Sequence, residues 1–150
     1  MGRIALPVRW TRLFLQLTWV EQRELIVVIC LAVWCETLVR WRPLPELARR
    51  FKVGLGSNDS TLEDKPLESL PPWAIMRLRM VRRVMRNWPV EGVCLRHTLV
   101  AGHRVSALDP TLHIGVAMSD PGVLEAHAWL EIDGRSLDVE SRNYERLSLS

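Results

Sequence analysis

Cys94, His127 and Asp138 supply a thiol, an imidazole and a carboxylate, spaced by 33 and then 11 positions along the chain. Together such groups make a covalent catalytic unit, in which a thiolate attacks a carbonyl, the imidazole moves the proton and the acid orients the ring. A thiol becomes a nucleophilic thiolate near neutral pH when it stands at a helix start beside an imidazole. Cys94 meets the first condition: Gly92 precedes it, and Leu95, Leu99 and Val100 follow at helical spacing towards Gly102. A lone cysteine in an apolar helix is also an ordinary core residue, and a histidine before Ala-Trp is also an ordinary strand residue. The residue pattern leaves both readings open.

The imidazole and the acid are placed by strands. Leu112, Ile114, Val116 and Met118 alternate with His113, Gly115 and Ala117, and Asp120-Pro121-Gly122 closes this run as a turn. A second alternation, Ala126, Ala128, Leu130 and Ile132 against Glu125, His127, Trp129 and Glu131, leads into Asp133-Gly134, a strong signal for a two-residue hairpin. That turn would set Ile132 opposite Arg135, Trp129 opposite Asp138 and His127 opposite Glu140. Residues directly opposite share a face, and diagonal neighbours lie within roughly 7 to 8 Å. Asp138 would therefore reach His127 diagonally and Glu140 directly, and the register does not choose between them.

At 150 residues with 48% hydrophobic and 25% charged residues, the chain has the composition of one packed domain. A chain of this length buries roughly 68 to 70% of its unfolded surface, so it needs no disulfide or metal staple. The net charge is +3, and all but Lys52 and Lys65 of the 20 basic residues are arginine. Arg77, Arg79, Arg82, Arg83 and Arg86 alternate with apolar residues at helical spacing, which reads as a solvated helix face and not as a nucleic-acid footprint. Cys30, Cys35 and Cys94 cannot all pair within one chain, and none forms a Cys-x-x-Cys motif, so a reducing cytoplasmic setting is expected. Pro7 interrupts the first ten residues and no signal peptide is read there. His97, His103 and His113 lack the spacing of a tetrahedral site, so neither a metal nor any other cofactor is expected.

Upstream, Leu25 to Cys35 is the most apolar segment. Its eleven residues are too few for the roughly 20 that span a bilayer. A buried or partner-facing helix is expected, with peripheral membrane contact the lesser option, and Cys30 and Cys35 are expected to act as small core hydrophobes. Leu44, Leu47, Ala48 and Phe51 suggest a short second helix. Gly54 to Pro72 reads as a loop, and Trp73 to Trp88 as a third helix ended by Pro89. The organisation is thus an N-terminal helical part with a linker over 1–72 and a catalytic core over 73–150, forming one compact unit. The first part holds no run of alternating strands that could receive a peptide as an added strand.

Cys94-Leu95-Arg96-His97-Thr98-Leu99, the Leu112-His113-Ile114-Gly115-Val116 strand and Ala126-His127-Ala128-Trp129-Leu130-Glu131-Ile132-Asp133-Gly134 resemble, in order and spacing, the transglutaminase-like cysteine peptidases that mature lasso peptides. The resemblance covers about residues 70 to 140, and the N-terminal helices are similar to that family's helical preamble. It implies an α+β fold, a papain/transglutaminase-like core in which a Cys-bearing helix packs on an antiparallel sheet. It also implies Cys94 as nucleophile, His127 as general base and then acid, and Asp138 as orienting acid, with Glu140 near enough to substitute. From the residues alone, Trp129 either shields the Cys-His pair or is plain strand packing, and Gly115 and Ala117 either leave room for a substrate backbone or only ease packing.

The activity so implied is removal of the leader from a ribosomally made precursor peptide, freeing an amine for an ATP-dependent macrolactam cyclase. In that family a small, separate or fused protein recognises the leader. Here the first 72 residues leave no room for the fused form, so a separate leader-recognition protein is expected, and the apolar Leu25 to Val39 segment is a candidate docking surface for it, for the cyclase or for a membrane. The same three residues would also serve acyl transfer to an amine. A non-catalytic scaffold in a peptide-maturation complex is the remaining alternative.

Overall fold

The computed structural model describes residues 17–56, 63–64, 70–90, 92–120 and 122–149. The first ten residues, in which no signal peptide is expected, and most of the Gly54 to Pro72 loop lie outside them.

Helix α1 (Trp19–Val39) is longer than its apolar stretch because it is capped at its start. Thr18 accepts the backbone N–H of Glu21 and the Glu21 carboxylate reaches back to the Thr18 N–H, a reciprocal box that allows the Glu21-to-Glu24 charges to lie within the helix. Helix α2 (Leu44–Arg50) begins on Pro43 and Pro45, where a missing N–H costs nothing. Helix α3 (Pro72–Met85) begins the same way and ends three residues short of Trp88. Helix α4 (Val93–Arg104) follows Gly92, whose φ of 71° supplies the left-handed entry.

Strands β1 (Gly54–Leu55), β2 (Glu63–Asp64), β3 (Thr111–Asp120), β4 (Val123–Ile132), β5 (Arg135–Ser136) and β6 (Glu145–Arg146) form one mixed sheet. Its order is β1-β3-β4-β5-β2, and β6 pairs with β3 beyond the end of β1. The central pair is antiparallel, with His113 opposite Trp129 and Gly115 opposite His127. Asp133 (φ 54°) and Gly134 (φ 71°) both take positive φ and form the expected two-residue turn, setting Ile132 opposite Arg135 and Glu131 opposite Ser136. The ladder then stops. After Leu137, which donates to the Leu130 carbonyl at 3.0 Å, the chain turns into a short 3₁₀ helix over Val139–Asn143, so Trp129 and His127 never pair with Asp138 and Glu140 as strand partners.

The fold is α+β, with helices on one face of the sheet. Leu112, Ala128 and Leu130 from that face join Leu99 and Val100 of α4, Val81 and Val84 of α3, and Leu25, Val28, Ala32 and Cys35 of α1 in a single apolar core. Two ion pairs bind α1 to α4: Arg104 donates twice to Glu24 (2.6 and 2.8 Å), and Arg96 donates to Glu36. The cysteines of α1 divide. Cys35 is fully buried, and burial pushes its thiol up to about 12, whereas Cys30 is exposed and serves no core. The arginines of α3 divide as well, since Arg79, Arg82 and Arg86 are exposed. Arg77 instead lies over the Trp73 ring and donates to the Arg104 carbonyl at 3.0 Å. No helix among the described residues is long and apolar enough to cross a membrane.

Candidate functional site

The face of the sheet opposite α4 carries His113 on β3 and His127, Trp129 and Glu131 on β4. His127 Nε2 lies 2.7 Å from Asp138 Oδ2. With Nε2 turned to a carboxylate, the ring presents Nδ1 as its basic nitrogen. Asp138 is held firmly. Its Oδ1 accepts the Glu140 N–H at 3.0 Å, its own N–H donates to Ser136 Oγ at 3.1 Å, and its carbonyl accepts from Ser141 Oγ at 2.6 Å. It is the N-cap of the 3₁₀ helix, which explains why the strand ends here and why the carboxylate points back at β4.

Glu140 is exposed and its backbone, not its side chain, serves this arrangement. Single ligand atoms of His127, Asp138 and Glu140 do fall within 4.8 Å of one another, and this cluster does not include Cys94. Cys94 stands, exposed, in the first turn of α4. Among the described residues no hydrogen bond joins its thiol to His127. What ties the two elements is Thr98, a residue not expected from the sequence: its hydroxyl lies 2.8 Å from the Cys94 carbonyl and 3.0 Å from the carbonyl of Ala128, the neighbour of His127. Its position four residues after Cys94, one helical turn on, is the signal that could have revealed it. On the same turn, Arg96 donates to the Gly92 carbonyl at 2.7 Å and to Glu36, fixing the start of α4 against α1.

An aromatic column runs along the sheet face. His113 stacks on Trp129 (5.8 Å between centroids), Trp129 lies next to His127 (6.3 Å), and Tyr144 stacks on His127 (4.9 Å). Tyr144, the only tyrosine, gave no periodic signal in the sequence. The expected room at Gly115 is taken by the column itself: a Cβ there would come within 2.8 Å of the Tyr144 Cβ, 2.9 Å of the Glu145 carbonyl and 2.9 Å of the Trp129 ring. Gly115 serves packing and leaves no groove for a substrate backbone.

Beneath the column lies a second histidine–carboxylate pair. Glu131 is buried and accepts from the Trp129 indole N–H at 3.1 Å and from Arg146, and its other oxygen lies 3.2 Å from His113 Nε2. Burial pushes the Glu131 carboxyl up, but hydrogen bonds from His113 and Trp129 and the charges of His113 and Arg146 outweigh it and hold the group below the usual carboxylate range. His97, one turn after Cys94, is pushed below the ordinary imidazole range by burial and then by Arg82, with Asp138 opposing them.

A Cys-bearing helix on a sheet whose central strand carries a histidine held by an aspartate is the architecture of the transglutaminase-like proteins. A family model described as the transglutaminase-like superfamily matches residues 32–148, and the chain belongs to that family, the one associated with lasso peptide biosynthesis B proteins. The match begins within α1, well before the Cys94 and His127 motifs. Neither a curated protein nor a solved structure shows significant similarity to the chain.

Proposed function

We propose that the protein is a cysteine peptidase that removes the leader from a lasso peptide precursor, with Cys94, His127 and Asp138 as its triad. The observation that carries this reading is the 2.7 Å contact of His127 Nε2 with Asp138, which leaves Nδ1 to take a proton, beside a strand whose Ala128 carbonyl shares Thr98 with Cys94. His127 takes the thiol proton, Cys94 Sγ attacks the carbonyl of the last leader residue, and the protonated His127 gives its proton to the departing core-peptide amine. Water, deprotonated by His127, then hydrolyses the leader thioester and restores the thiol. No side chain caps α4, so its first-turn N–H groups remain to stabilise the developing oxyanion.

The setting in this reading is cytoplasmic, and a separate leader-recognition protein raises the precursor's effective concentration at Cys94 before the macrolactam cyclase takes the product. The test is cleavage of full-length precursor with and without that protein, alongside a precursor whose leader is cut to the few residues before the bond. Partner-dependent cleavage that fails with the short leader and with Cys94→Ala supports the reading. Cleavage by folded Cys94→Ala that a chelator abolishes would instead assign hydrolysis to a metal held by His127, Asp138 and Glu140.

A further inference from the structure

In an antiparallel ladder each residue turns both its N–H and its C=O to one side, and the side alternates along the strand. Leu130 and Ile132 face β5: Leu137 donates to the Leu130 carbonyl, and Ile132 pairs with Arg135 across the two-residue turn. By the same alternation Ala128, Ala126 and Leu124 face outward and Val123, Glu125 and His127 face β3. Thr98 closes the Ala128 carbonyl at 3.0 Å. Beyond it, no described residue pairs with the outward groups of Ala126 or Leu124. Among the described residues the edge of β4 is therefore unpaired up to the residue beside His127 and closed from there on.

The side chains follow the same division. The face bearing Leu112, Ala128 and Leu130 is buried in the core, and its continuation past α4 is uncovered: Met118 is 70% exposed and Leu124 opposite it 67%. An unpaired edge flanked by exposed apolar residues is a template for another extended chain, which meets its alternating donors and acceptors while covering the apolar side chains.

We infer that the Leu124–Ala126 edge of β4 receives the substrate as an added strand, an extended peptide whose alternate apolar side chains lie beside Leu124 and Met118. This rests on the peptidase reading, since the open edge leads along β4 to His127 and to the carbonyl that Thr98 shares with Cys94. Strand addition is sequence-tolerant in its backbone bonds and selective only through alternate side chains. That suits a peptidase whose choice of precursor is made by a second protein.

The test is residue-resolved amide hydrogen exchange on the full chain carrying Cys94→Ala, so that turnover plays no part. The probe is acetyl-Leu-Thr-Leu-Thr-Leu-Thr-amide, with the same peptide N-methylated at every backbone amide as control. Saturating probe should slow exchange at Leu124 and Ala126 at least tenfold and leave Val123, Glu125 and His127 unchanged, and the methylated peptide should slow none of them. The inference is overturned if Leu124 and Ala126 do not respond to the probe. It is also overturned if they already exchange as slowly as Glu125 in dilute free chain, which would show the edge covered by the chain itself, or slow only with rising protein concentration, which would show a second copy. Precursor cleavage by the unsubstituted chain together with the leader-recognition protein is scored separately: protection without cleavage there would sink the peptidase reading and leave strand addition standing.

Discussion

Two histidine–carboxylate pairs lie on one face of the β3–β4 sheet, separated by the Trp129 ring. His113 and Glu131 have side-chain exposures of 3% and 2%, with the contact at 3.2 Å. His127 and Asp138 have 14% and 37%, with the contact at 2.7 Å. The inner pair is enclosed: Gly56 presses so near that a Cβ would fall 2.1 Å from the His113 ring, and Trp129 and Arg146 use the rest of the Glu131 carboxylate. The outer pair reaches solvent and lies beside the helix that carries an exposed thiol. An imidazole on a carboxylate is thus not by itself a catalytic element. In the proposed peptidase reading, access and the Cys94 thiol set the outer pair apart from an inner one that ties β3, β4 and β6 together.

Substitution should divide the two pairs sharply. Cys94→Ala and His127→Ala should each lower precursor cleavage by about a thousandfold or more, because members of such a unit fail together. Cys94 is exposed, so its loss should move stability by less than about 0.5 kcal/mol. Glu131→Ala should do the reverse at first hand, costing about 3 to 5 kcal/mol in urea unfolding by leaving buried His113 and Arg146 without their partner. If Glu131→Ala stays as stable as the parent, the inner pair is not the structural tie described.

A smaller effect separates the two acids. Asp138→Asn should slow cleavage far more than Glu140→Gln, since Asp138 meets the ring and Glu140 contributes its N–H. A Glu140→Gln variant that is the slower of the two while both remain folded would reassign the orienting group. Gly115→Ala should destabilise the chain by about 1 to 3 kcal/mol through overpacking of Tyr144 and Trp129, read as a lowered unfolding midpoint.

The smallest effect is on pH. His97 and His103 are both held below the ordinary imidazole value of 6.5, burial being the first cause in each. The unfolded chain therefore binds protons that the folded chain refuses, and stability should decline as pH falls below 6.5. Glu131, held below its usual 4.5, works at lower pH: its contribution is complete above 4.5 and lost as pH falls through its folded value. Unfolding midpoints from pH 8 down to about pH 2 should fall in these two ranges, and replacing both histidines with glutamine should flatten the first. A midpoint that rises on acidification from 7 to 5.5 would contradict this sign.

Much of this site was legible in the residues because it depends on local rules. Asp133-Gly134 dictates a two-residue turn, and the turn alone places Glu131 and Ile132 against Ser136 and Arg135. The alternation of β3 and β4 and the Gly92 entry to the Cys94 helix follow from period and conformational freedom in the same way. What escaped depends on tertiary packing. Strands β1, β2 and β6 have two residues each and so carry no period. Glu131 and His113 sit at alternating polar positions of their strands, and the return of the chain through Tyr144 and Arg146, with Gly56 against His113, buries them. The room for a substrate backbone expected at Gly115 is filled for the same reason, since nothing near it in sequence announces Tyr144.

If Cys94 carries the leader as a thioester, rapid acid quenching of the turning-over protein traps it. The expected species has an intact mass equal to the chain plus the free leader acid minus one water, maps to Cys94, is removed by hydroxylamine and is missing in Cys94→Ala. Turnover that proceeds in Cys94→Ala, or an adduct that maps to exposed Cys30 instead, would contradict it.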